Sequence, residues 1–248
     1  MGKKYKNSPI VEALCEFQFI PSHPWDMTIP GLFYEKIRND FPEKKQQMGF
    51  GVGFQPKEGV VEQKIEMNQR IQFLRTDKTA LVQVAADLLV INHLKPYPTW
   101  DIFKPILFKN LDLYKEIANP KGFKRIGLRY INKIDIPSES IEMSEYFNFY
   151  PPIPKDLPQI HSDFNMQVEI PYENERDRLL LTLTKGKAIP EKSDIISIIL
   201  GLYHVMVIPE KVSFDEVEEW TEKAHTIIEK AFESCITDKC RTLFEEEE

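Results

Sequence analysis

Ile10-Val11-Glu12-Ala13-Leu14-Cys15-Glu16-Phe17-Gln18-Phe19-Ile20 is the stretch on which the fold turns. In its second half Cys15, Phe17 and Phe19 alternate with Glu16 and Gln18. Successive side chains of a strand point to opposite faces, so one face here is apolar and the other polar. That is a strand with one side on a core and the other side on water or a partner. Glu12 and Glu16 share the polar face. Pro21, Pro24 and Pro30 then make a turn-rich connection around Trp25. Leu32, Phe33, Ile37 and Phe41 recur near a period of 3.6, and Pro42 ends that short helix.

Further along, strands are expected at 49–54, at 60–67 and 70–75 joined by a tight turn at Asn68-Gln69, and over 80–94 as one long strand. The glycines of 49–54 mark an edge or bulged strand. Thr99 is a candidate N-cap. Behind it Trp100, Phe103, Ile106, Leu107, Leu111, Tyr114 and Ile117 form the stripe of a long helix. Pro105 makes that helix begin near Lys104 or kink there. Asn119-Pro120-Lys121-Gly122 reads as an exposed connector.

The same order then recurs. A strand is expected over 123–136, followed by a short helical stretch from Ser138 to about Phe149. Strands follow at 163–170, 178–184 and 194–208. Ser213 and Glu216 form a capping box for a last helix that carries Phe214, Val217, Trp220, Ala224, Ile227, Ile228, Ala231 and Phe232. The fold class this predicts is α+β: two pseudo-repeats of strand, helix, antiparallel strands and long helix. The element order is that of a helix-grip or TATA-binding-protein-like fold, an analogy that carries no function. The expected organisation is a tail at 1–9, repeats at 10–120 and 121–244, and an acidic tail at 245–248, all in one compact body.

A chain of 248 residues with 42% hydrophobic content is long enough to bury a sizeable core. No apolar run reaches the ~20 residues that span a bilayer, and the basic start is followed by no secretory h-region. Cys15, Cys235 and Cys240 are a sparse, odd set that suits a reducing cytoplasm. The net charge of −7 is uneven: residues 1–122 carry 17 basic and 14 acidic side chains, residues 123–248 carry 15 and 25. That balance argues against nucleic acid as a partner.

No metal or cofactor is expected. His23, His93, His161, His204 and His225 lack HxH or HExxH spacing. Gly49-Phe50-Gly51-Val52-Gly53 is followed by no Lys-Ser/Thr, so it is not read as a nucleotide loop. No GxSxG, HRD or DFG occurs.

The polar residues set into apolar strands are the candidate ligand-binding positions: Glu12, Glu16, Arg129, Tyr130 and Asn132, with Trp220 and His225 on the last helix. Arg129 has the fork geometry to clamp a carboxylate or phosphate. It would cluster with Glu12 and Glu16 if their two strands are central neighbours. The competing readings are an internal salt bridge for Arg129, a solvated sheet face for the two glutamates and a packed, hydrogen-bonded ring for His225. No catalytic residue is identified.

Residues 5–13 (Tyr-Lys-Asn-Ser-Pro-Ile-Val-Glu-Ala), Cys15-Glu16-Phe17, Arg129-Tyr130-Ile131-Asn132, and Trp220 with Ala224-His225 resemble a sporadically distributed, uncharacterised prokaryotic family of about this length. The resemblance covers nearly the whole chain and brings no activity, cofactor or site residues. It implies an accessory component of a prokaryotic defence or mobile-element operon. The functional expectation is a non-catalytic cytoplasmic interaction or ligand-binding protein with a protein partner from the same operon. A small-molecule or nucleotide sensor using the Glu12/Glu16/Arg129/Asn132 face is the alternative, and a hydrolase with an unrecognised site is a third.

Overall fold

The computed structural model describes residues 5–57, 60–159, 161–186 and 194–246, with side chains outside 48–69. The described residues form nine strands: β1 Ile10–Ile20, β2 Glu43–Lys57, β3 Val60–Leu74, β4 Ala80–Ala85, β5 Leu88–Leu94, β6 Gly122–Pro137, β7 Asn165–Tyr172, β8 Asp177–Lys185 and β9 Ile195–Met206. All nine join one antiparallel sheet in the order β2-β3-β4-β5-β1-β6-β9-β8-β7. The helices are α1 Ile29–Ile37, α2 Trp100–Ala118, α3 Met143–Tyr146, α4 Val217–Cys235 and α5 Asp238–Arg241.

This corrects the expected α+β helix-grip class. Among the described residues strand outweighs helix, and a single large sheet dominates. The physical reason is strand length. The glycine-rich 49–54 is the middle of the 15-residue β2, and Asn68-Gln69 continues the ladder of β3 opposite Gly49 and Met48 instead of turning. The expected long strand over 80–94 is two strands, β4 and β5, joined at Ala86-Asp87. Asp87 supplies the positive φ, 53°, that the turn needs. From 138 to 149 only α3 is helical.

Other expectations resolve in detail. α2 begins at Trp100 with Pro105 inside it, and Asn119 ends it in the left-handed region at φ 44°. Only half of the capping box forms: Glu216 Oε2 accepts from the Ser213 backbone N–H at 2.9 Å, but the Ser213 hydroxyl donates to that carboxylate. The α-helix starts at Val217, with Glu216 and not Ser213 at its N-cap.

The helices all contribute to one core with one face of the sheet. Along β1 that face is Ala13, Cys15, Phe17 and Phe19, all buried. Phe19 stacks on Tyr114 of α2 with centroids 4.5 Å apart, and Phe17 meets Phe123 at 5.8 Å. α1 brings Phe33 onto Phe73 and Tyr114. The apolar stripe of α4 closes the core over β6 and β9. Among the described residues the opposite face carries no helix, which is the layer arrangement that antiparallel sheets tolerate. β2 and β7 are the outer strands, where Pro56 and Pro171 cost no ladder bond toward a neighbour. Among the described residues no helix is long and apolar enough to cross a membrane.

Candidate functional site

β1 and β6 lie side by side at the middle of the sheet. Their register sets Leu14 opposite Arg129, Glu16 opposite Gly127, Gln18 opposite Arg125 and Glu12 opposite Ile131. On the other side β9 sets Tyr203 opposite Arg129 and Gly201 opposite Ile131. The open face at the centre therefore carries Glu12, Leu14, Glu16 and Gln18 from β1, Arg125, Gly127 and Arg129 from β6, and Gly201 and Tyr203 from β9. Tyr130 and Asn132 point the other way, into the core, at 4% and 2% exposure. The candidate group Glu12/Glu16/Arg129/Asn132 is thus not one face. Asn132 is three residues from Arg129, an odd step along a strand, and odd steps cross the sheet.

The two carboxylates are held by amides. A chain of hydrogen bonds crosses five strands: Gln72 Nε2 donates to Gln47 (2.9 Å) and Gln83 (3.1 Å), Gln83 to Asn92 (2.9 Å), and Asn92 to Glu12 Oε1 (2.6 Å). Gln83 and Asn92 are buried although no helix among the described residues covers them. Their same-face neighbours Leu81, Leu88 and Val90 enclose them, and each buried amide is bonded, as burial demands. Gln18 Nε2 donates to Glu16 Oε1 at 2.9 Å.

The arginines are left over. Among the described residues the arginines that form ion pairs are Arg38, Arg176, Arg178 and Arg241. Arg129 is exposed and is not among them. The expected internal salt bridge to Glu12 or Glu16 is absent because the side chain leans the other way: a Cβ on Gly201 would stand 3.7 Å from its Nη2. Thr182 Oγ1 fills the notch that Gly201 leaves. The Tyr203 ring lies over Gly127, where any Cβ would overlap it, and the Arg125 guanidinium sits 5.6 Å from the centroid of that ring. Arg125 Nε is buried without a hydrogen-bond acceptor among the described residues. Burial raises the Tyr203 pKa and Glu16 adds to the rise, while Arg125 opposes it.

The remaining candidates pack beneath the helices. Tyr130 Oη meets His225 Nδ1 at 2.8 Å and Tyr97 Oη at 3.2 Å. His225 stacks on Trp100 with centroids 4.5 Å apart, and its Nε2 lies 3.3 Å from Glu229. Burial first, then Tyr97, hold the Tyr130 phenol well above its usual pKa, so it stays neutral. Asn132 Nδ2 donates to the Leu200 carbonyl at 3.1 Å. Trp220 Nε1 donates to Asp177 at 3.2 Å. These contacts tie α2 and α4 to the sheet.

Among the described residues no three His, Cys, Asp or Glu side chains gather for a metal. Sequence reasoning missed Arg125, Thr182 and Tyr203. Counting back four from Arg129 along the strand would have found Arg125; Thr182 and Tyr203 join only through register. No protein-family model matches the chain, and no curated protein matches it either.

Proposed function

We propose that this chain is a non-catalytic interaction protein, and that the open face of its sheet receives an acidic segment of a partner protein. The observation that supports this most is Arg129, exposed on a central strand and without an ion pair among the described residues, while the carboxylates beside it are bonded by Asn92 and Gln18. An arginine held this way complements a carboxylate or phosphate from outside. Tyr130 and His225, the residues with the chemistry for proton transfer, are bonded to their neighbours beneath the helices, which weighs against a hydrolase.

The sensor reading has an observation of its own: a cavity of about 760 Å³ at the rim of the sheet. Gln18, Trp25, Met27, Arg70, Asp87 and Lys124 line it, so it adjoins the open face at Gln18.

The test is native mass spectrometry of the chain purified from its own host. Leu14→Glu places opposite Arg129 the carboxylate that the native face withholds, within cross-strand reach of ~5 Å. It should strip the companion protein. Lys223→Glu, on the exposed side of α4, should retain it. Identical companions on wild type and Leu14→Glu would sink the proposal, and a bound small molecule lost on Leu14→Glu would move the assignment to the sensor.

A further inference from the structure

We infer that Arg125 and Arg129 form an oxyanion seat straddling Tyr203; this rests on the open face being the binding surface. Both arginines belong to the same face of β6, four residues apart, so their Cα atoms are roughly 13 Å from one another. Arg125 reaches the Tyr203 ring from one side and Arg129 lies at Gly201 on the other, so the two guanidinium groups flank the ring. Gly127 between them has no side chain, and the Tyr203 ring occupies the space it leaves. Arg125 rests against that ring at 5.6 Å, a cation–π contact that orients the guanidinium without neutralising it. Its Nε–H has no acceptor among the described residues. On the other side of the ring Arg129 leans over Gly201 beside Thr182.

The local charge favours an anion. Glu16, opposite Gly127, is the acidic side chain that register brings closest, and Gln18 already bonds it. Two guanidinium groups stand against that one carboxylate. Each presents planar donors that match two oxygens of a carboxylate or phosphate, which a point-charge lysine does not do. The chemistry expected of the ligand is the side-chain carboxylate of an acidic segment, or a phosphate carried by the same kind of segment.

Arginine modification tests the seat on the full chain. Phenylglyoxal labelling is followed by peptide mass spectrometry at Arg125, Arg129 and, as control, the exposed Arg38, which pairs with Glu35. Acetate and inorganic phosphate are the probes. Either should slow labelling of Arg125 and Arg129 severalfold and leave Arg38 unchanged. The better protector at equal concentration tells carboxylate from phosphate. In Arg129→Lys the protection of Arg125 should drop, because the fork is lost while the charge remains. Protection of neither arginine, protection equal to that of Arg38, or full protection of Arg125 in Arg129→Lys would overturn the seat. The two proposals separate. If Leu14→Glu loses its companion but the anions protect nothing, the face binds and the seat is wrong. If the anions protect both arginines but Leu14→Glu keeps its companion, the seat stands and the partner reading falls.

Discussion

Asp177 is the clearest case of a single residue doing what its class rarely does. It is a carboxylate at 1% exposure, and it survives burial by its partners. Arg176 donates to both oxygens at 3.1 and 2.6 Å, Trp220 Nε1 donates at 3.2 Å, and His204 Nε2 lies 3.7 Å away. Burial pushes the carboxyl pKa up, but His204, Arg176 and Trp220 together outweigh it and hold the value below the ordinary range. A depressed folded pKa contributes stability at neutral pH, and that contribution is lost as pH falls below about 4 toward the folded value. Asp177→Asn should cost about 2 kcal/mol at pH 7. That is less than the scale for a fully buried pair, because Arg176 keeps 29% of its side chain in water. Urea unfolding of both proteins from pH 7 to pH 3 checks this: the gap should narrow at the acid end, and a gap independent of pH would refute the ionic account.

At the scale of elements, the amide chain from Gln47 to Glu12 stitches β2, β3, β4, β5 and β1 together on the open face. Helices pin the other face; on this one the side chains of the sheet bond each other. Asn92 is the pivotal member because it accepts from Gln83 and donates to Glu12. Asn92→Leu keeps the volume but leaves the Gln83 amide without its acceptor in a buried site. The expected cost is about 1–3 kcal/mol, read as a lower urea midpoint with the slope unchanged. An unaltered midpoint would show that the chain of amides adds nothing to stability.

The whole molecule is joined at its middle. β1 and β6 are each the inner edge of one half of the sheet, and their pairing runs from Ile10 opposite Asn132 to Ile20 opposite Gly122. Phe123 packs on both Phe17 and Phe19, so the core also crosses the seam. Cutting the chain at the Asn119–Lys121 connector exposes the full length of an apolar strand in each fragment, a template for aggregation. Residues 1–120 and 121–248 expressed separately should therefore fail to fold as monomers. Together they should recover the circular dichroism of the intact chain in a 1:1 complex on size exclusion. A cooperatively unfolding monomer from either fragment would show two independent domains.

What the sequence determined by itself is what depends on local geometry. The alternation of Cys15, Phe17 and Phe19 with Glu16 and Gln18 assigned the faces of β1, because the strand period of two is a property of the backbone. The stripe from Trp100 to Tyr114 and that from Val217 to Ile228 likewise marked the buried sides of α2 and α4. The opposite orientation of Arg129 and Asn132 was legible by the same count, and grouping them was an error of parity. Only the tertiary structure decided the rest. Pairing depends on which distant strands meet and in what register, and no local period encodes that. It made β1 and β6 neighbours, lengthened the strands into one sheet that outweighs the helices, and set Tyr203 between two arginines. It also turned Arg129 toward Gly201 instead of toward Glu12 or Glu16, whose carboxylates Asn92 and Gln18 hold.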